Sequence, residues 1–224
     1  MQTYSHLIIT AVLRHPITKK VSLSTKLPTV SLKAFLLGSV LPDIPLILIS
    51  IWAIASDLFT GVFTQFDFST QNPGEPIAPE LLALSRTMTL YEVWFFENPW
   101  VITAQNLFHG PLLVALFIGI AYFFWRRGNE KSGWFFWLFC TAMLHTILDI
   151  LLHTTDGPLV FFPFNWTWRF HSPVSYWDPE HYGREWSVFE HFLDIAAIGY
   201  LIFLSRPTIL AWGQQLRDSR KEST

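Results

Sequence analysis

The stretch LHTILDILLH, Leu144 to His153, sets His145, Asp149 and His153 at intervals of four inside an otherwise apolar run. On a helix that spacing puts all three on one face, drifting by about 40° per step. Four residues rise only ~6 Å, so His145 and Asp149 can grip one ion, whereas His145 and His153, ~12 Å apart along the axis, cannot share it directly. Imidazole nitrogen and carboxylate oxygen are ligands that Zn²⁺ and similar divalent cations accept. The competing reading is a neutral His145 hydrogen-bonded to Asp149 as a clamp between helices, with His153 at the membrane interface. An ionised carboxylate at mid-membrane depth costs roughly 2.5–3.5 kcal/mol on insertion scales, so either reading must supply Asp149 with partners.

Other polar positions repeat the pattern of one His or Asp within or beside an apolar segment. In GSVLPDIPL, Gly38 to Leu46, Asp43 lies between two prolines. Pro45 has no amide hydrogen, its ring collides with the carbonyl of Leu41, and residues before proline are pushed toward extended geometry. A broken helix is expected there, presenting Asp43 where freed carbonyls face a polar cavity instead of lipid. His109, in NLFHGPLL, precedes Gly110 and Pro111, and His6 lies in YSHLIITAVL.

The elements that must position these residues are membrane helices. Of 224 residues, 51% are hydrophobic, and the charges are gathered into a few short stretches, a polytopic membrane profile. Four segments approach the ~20 residues needed to cross a hydrocarbon core: Ala34–Ala55, Val101–Trp125, Trp134–Leu152 and Phe192–Trp212. The run Leu7–Leu13 is too short to span and reads as a partial or interfacial helix. The expected fold is therefore an all-α polytopic membrane bundle of about four spanning helices plus a short N-terminal helix, the first span broken at Pro42–Pro45. It forms a single membrane-embedded domain, residues 1–212, with extramembrane loops at about 56–100 and 154–191 and a polar tail over 213–224. The first loop contains the proline-rich QNPGEPIAP, Gln71 to Pro79.

Basic residues cluster before the first span, between the second and third, and at the C-terminus, whereas the two long loops are acidic and aromatic. Because cytoplasmic loops are enriched in Lys and Arg, the basic loops and the C-terminus are expected in the cytoplasm. Cys140 is the only cysteine, so no intrachain disulfide forms. Nothing in the charge pattern points to nucleic acid. The aromatic segment from His171 to Asp194 suits either an interfacial lid or an amphipathic loop anchored by its rings.

Four stretches carry a resemblance: SHLIITAVL, the LPDI of Leu41–Ile44, FHGPLLVAL around His109, and LHTILDILLHTTDGPLVFFPFNWTWRF from Leu144 to Phe170. In that order they resemble the membrane-bound metal-dependent hydrolase family, the LexA-regulated inner-membrane type, itself distantly similar to zinc-dependent phospholipase C and P1 nuclease. The resemblance implies a bacterial inner-membrane protein with a metal centre built from His6, Asp43, His109, His145 and Asp149, zinc being the expected cation and the number of ions left open. The family's second carboxylate after Pro-Asp is absent, since the chain reads PDIPL, and its Thr-His-Ser reads Phe-His-Gly. His153, His191 and Asp194 are the residues available to serve as additional ligands or acid–base groups.

Two functions follow. One is a metal-dependent hydrolase in which activated water attacks an ester or phosphoester of a lipid-like or other amphiphilic substrate. The other is a non-catalytic membrane protein using the same residues for metal or proton transport or for structural metal binding. The histidine boxes of a di-iron desaturase and the CxxCH of a haem protein are missing.

Overall fold

A computed structural model of the chain describes residues 1–24, 26–65 and 79–221, with the side chains at 63, 65 and 208–221 outside the description. The proline-rich loop lies mostly outside it. Helices are the only regular elements among the described residues, and their one β-bridge, Leu159 to Arg169, is isolated.

Helix α1 runs Thr3–Val21, much longer than the apolar run Leu7–Leu13 implies. Its first turn is held by tertiary contact: Glu190 and Asp194, from the last helix, accept hydrogen bonds from the backbone N–H of Gln2 at 2.7 Å and the Ser5 hydroxyl at 2.7 Å. Acids at a helix N-terminus satisfy its free N–H groups and complement its dipole. The last turn carries Lys19 and Lys20, which complement the other end.

Helix α2, Leu32–Gly38, is capped by Ser31 and ends in a turn, and α3, Ile44–Thr60, begins anew with Pro45 in its first turn. The expected break at Pro42–Pro45 is thus present, and α3 closes on Gly61 at φ 70°. A chain of short helical turns follows, Pro79–Leu84, Arg86–Thr89, a π-helical turn Leu90–Trp94, and Phe95–Glu97.

The expected continuous span Val101–Trp125 is instead two helices, α4 Pro99–His109 and α5 Pro111–Arg126, bent by 48°. Pro111 donates no N–H into α4 and holds Gly110 extended at ψ 117°. Helix α6, Lys131–Leu152, and residues Gly183–Pro207 of α7, Gly183–Lys221, are each long and apolar enough to cross a membrane. The bent α4–α5 pair is a third candidate, and α3 is a shorter apolar helix. Helix α7 continues through the expected tail as far as Lys221.

Helix α6 is the centre of the bundle. Phe136, Trp137 and Leu138 pack with Phe35 of α2 and Ala121 of α5 in one buried cluster, and the Trp137 indole donates to the Pro28 carbonyl at 2.9 Å. Gly38 makes the α2–α6 approach possible: a Cβ there would lie 2.0 Å from the Leu138 carbonyl oxygen. Small residues let helix backbones meet closely inside membranes. At the far end of α6, its last carbonyls are taken by the following loop, through Ser172 Oγ on Leu151 at 2.6 Å and Tyr176 N on Leu152 at 3.0 Å.

Candidate metal centre

Asp149 is 3% exposed and sits where α1, α4 and α6 meet. Its Oδ2 lies 3.0 Å from Nε2 of His109 and 3.0 Å from Nε2 of His145. Its Oδ1 lies 2.9 Å from Nε2 of His6 and 3.2 Å from the Met1 amino group, with Nε2 of His153 at 3.8 Å. His6 and His145 stack nearly parallel, ring centroids 3.6 Å apart, each aimed at a different oxygen of the one carboxylate. The α2–α3 break adds Asp43, whose Oδ1 is 3.3 Å from His145 Nε2 and whose Oδ2 accepts the Thr3 hydroxyl.

The protonation pattern of His145 carries the chemistry. Its Nδ1 lies 2.7 Å from the Ser39 carbonyl oxygen, which only accepts, so Nδ1 bears the hydrogen. Nε2 then either bears a second proton or offers a lone pair. Although two carboxylate oxygens are 3.0 and 3.3 Å away, Nε2 is buried and aligned for a hydrogen bond with neither. An imidazolium would be expected to align with at least one of them. Donors of a tetrahedral cation instead stand off by roughly 3.3 Å when each is ~2.0 Å from the ion. Asp43, His109, His145 and Asp149 each offer a ligand atom, all within 4.8 Å of one another, so the donor set fits a divalent cation. A histidine whose second nitrogen donates to a backbone carbonyl is the usual support for a metal ligand.

His153 stands at the margin of this group. Its Nδ1 is 2.9 Å from Asp156 Oδ1, while the Trp177 indole donates to Asp156 Oδ2 at 2.9 Å and Tyr176 packs on the imidazole at 4.9 Å. Burial works to raise the Asp156 carboxyl, but the facing imidazole and the indole outweigh it and hold the group below the ordinary carboxylate range.

The other two candidates are engaged elsewhere. His191 is exposed, its Nδ1 2.6 Å from the Ser187 carbonyl and its Nε2 3.2 Å from the Tyr4 hydroxyl. Asp194 accepts from Ser5, and Glu190 beside it accepts from Gln2 and the Trp186 indole. Their work is to anchor α1 and so to place His6.

Sequence reasoning missed the Ser39 carbonyl, Thr3, Asp156 and Glu190 as partners. Asp156 was discoverable, since H-x2-D at a helix end can fold the acid back onto the imidazole. A backbone carbonyl leaves no residue-type signal at all.

A cavity of about 670 Å³ opens beside the cluster, with Asp43, His109, Asp149 and His153 among its lining residues. Tyr176 and Trp177 from the long aromatic loop also line it. No curated protein and no solved structure matches the chain. A family model matches residues 1–213, in accord with the apolar helices, and the chain belongs to the YdjM inner membrane protein family.

Proposed function

We propose that this integral membrane protein is a metal-dependent hydrolase acting on an ester or phosphoester of an amphiphilic substrate. The observation that carries the proposal is His145, whose Nδ1 is committed to Ser39 and whose Nε2 faces two carboxylates without bonding to them. Asp43, His109, His145 and Asp149 are the residues that would hold the cation, with His6 on the outer oxygen of Asp149. Bound there, a divalent cation such as zinc would supply a water of lowered pKa and would polarise a carbonyl or phosphoryl oxygen. Asp156, held by the Trp177 indole, lies 2.9 Å from His153 Nδ1, and Nε2 of that ring is 3.8 Å from Asp149 Oδ1 beside the cavity. Burial of the cluster limits bulk water, which strengthens every charge interaction inside it.

The proposed setting is a bacterial inner membrane with the basic loops and the C-terminus cytoplasmic and the Thr154–Tyr182 loop on the other side. Glu180, exposed in that loop, is the place for a labelling cysteine in a Cys140→Ser background. Reaction of Glu180→Cys with an impermeant thiol reagent in intact spheroplasts supports this sidedness, and reaction only after lysis reverses it.

Catalysis is tested with 4-nitrophenyl dodecanoate and bis(4-nitrophenyl) phosphate on protein reconstituted with zinc, with chelator, and as Asp149→Ala. Cation-dependent release of nitrophenolate that the variant lacks is expected. Equal rates in all three preparations would defeat the hydrolytic reading, and cation flux through proteoliposomes without turnover would favour transport.

A further inference from the structure

The cavity has two unlike ends. Asp43, Leu46, Ile47, Ser50, Ile51 and Ile54 all line it, the i, i+3, i+4 set of a single face of α3. The first of them belongs to the His/Asp cluster, and the largely apolar stripe behind it, Leu46 to Ile54, runs for ~12 Å along the axis at 1.5 Å per residue. Ile47, Ile51 and Ile54 are 41%, 58% and 41% exposed even while lining the cavity, so the wall continues onto the outer surface of the helix. Across from them, Tyr91 and Phe96 line the cavity and are each 44% exposed. The opening is thus lateral, between α3 and the π-helical turn, and in a membrane helix an exposed apolar surface faces acyl chains.

A polar group inside the cavity marks the other end. Gln105, four residues before His109 on α4, is 4% exposed, and its Oε1 has no hydrogen-bond partner among the described residues. A buried amide oxygen left unpaired is costly, and a donor on a ligand would recover that cost. At the lateral mouth, Ser50 Oγ donates its one proton to the Leu46 carbonyl at 2.7 Å, so the Tyr91 hydroxyl, 2.6 Å away, must be the donor to Ser50 and is held against the α3 wall. The Gln105 oxygen suits a head bearing hydroxyl or amide hydrogens.

We infer that the cavity is an acyl-chain site that takes a single-chain amphiphile from the bilayer, its tail along the α3 face and its head between Gln105 and the His/Asp cluster. The inference rests on the hydrolytic reading for the orientation of the head. Size sets the chain count: at roughly 30 Å³ per methylene-sized unit, the volume a water molecule occupies in the liquid, the cavity holds about 20 such units. One chain with a small head fits within that volume, and the second chain of a phospholipid would have to lie outside it.

The test uses 1-O-dodecylglycerol carrying a diazirine in its chain, an ether that cannot be hydrolysed, on the full chain in lipid nanodiscs. Saturable adducts are expected on residues 47–54 and 91–96, displaced by unlabelled dodecylglycerol and not by a two-chain ether lipid. Ile47→Trp or Ile54→Trp should cut the saturable labelling at least tenfold, and Gln105→Leu several-fold. Leu48→Trp, on the same helix, 61% exposed but outside the cavity lining, should leave labelling unchanged. Labelling that does not saturate, equal loss in Ile47→Trp and Leu48→Trp, or displacement by the two-chain lipid would overturn the inference. Metal content measured on the same samples separates the two claims: saturable labelling of a chain that binds no metal keeps the acyl site and removes the hydrolase.

Discussion

Asp57 and Asp149 are both buried in apolar helices, and they are held differently. Asp57, in α3 and 0% exposed, accepts from the Ser85 hydroxyl at 2.7 Å and from the backbone N–H groups of Arg86 at 2.7 Å and Thr87 at 3.0 Å. Ser85 Oγ also caps the Arg86–Thr89 turn by accepting from Met88 N, and together these donors tie α3 to the start of that turn as an N-terminal acid does. Asp149, in α6, is faced by the imidazoles of His6, His109 and His145 and by an amino group, each of which can present a lone pair instead of a hydrogen. Burial of a carboxylate therefore shows only that something must hold it. The kind of donor around it separates a structural tie from a centre that can take a cation.

Asp149→Ala breaks the comparison most severely. It should lower the affinity for zinc by more than the ~10–100-fold that follows loss of an outer partner, read by equilibrium dialysis against a chromogenic chelator. Asp57→Ala should leave zinc binding intact and instead destabilise the protein by about 3 kcal/mol, because charge-assisted bonds are lost and buried donors are stranded. Thermal unfolding in detergent reads that effect, and loss of zinc at full stability would erase the distinction between the two acids.

Gly38→Ala acts on both quantities. The added methyl would overlap the Leu138 carbonyl and the Thr141 hydroxyl, pushing α2 off α6 and drawing the Ser39 carbonyl from His145. Overpacking should cost about 1–3 kcal/mol, and zinc should bind several-fold more weakly. Smallest is Asp156→Asn, which keeps the shape of the His153 support while removing its charge. Zinc affinity should fall by roughly tenfold at most, with unfolding unchanged, and a larger loss would make His153 a ligand in its own right.

The sequence announced some of this arrangement through residues whose chemistry is local. Pro42 and Pro45 forced the α2–α3 break, and the four-residue spacing put His145 and Asp149 on one face of α6, whereas His153 falls just past the helix end as its extended C-cap. The bend at Gly110 had an equally local cause in Pro111, yet the apolar run on either side concealed it. Helix α1 outran its apolar stretch, and the acids that hold its first turn are more than 180 residues away in sequence. Asp57 drew no attention, since its partners lie in turns that no periodicity reveals. Bringing His6, Asp43, His109 and Asp149 to one point is likewise a property of the packing, visible beforehand only through resemblance.

Zinc K-edge absorption on the purified, dialysed protein addresses the centre directly. A retained ion with nitrogen and oxygen donors at ~2.0–2.2 Å, including imidazole scattering that diminishes in His145→Ala, is the expected result. Protein that retains no zinc, or zinc whose spectrum is identical in His145→Ala, would contradict the account and leave the cluster as an ion-paired clamp between helices.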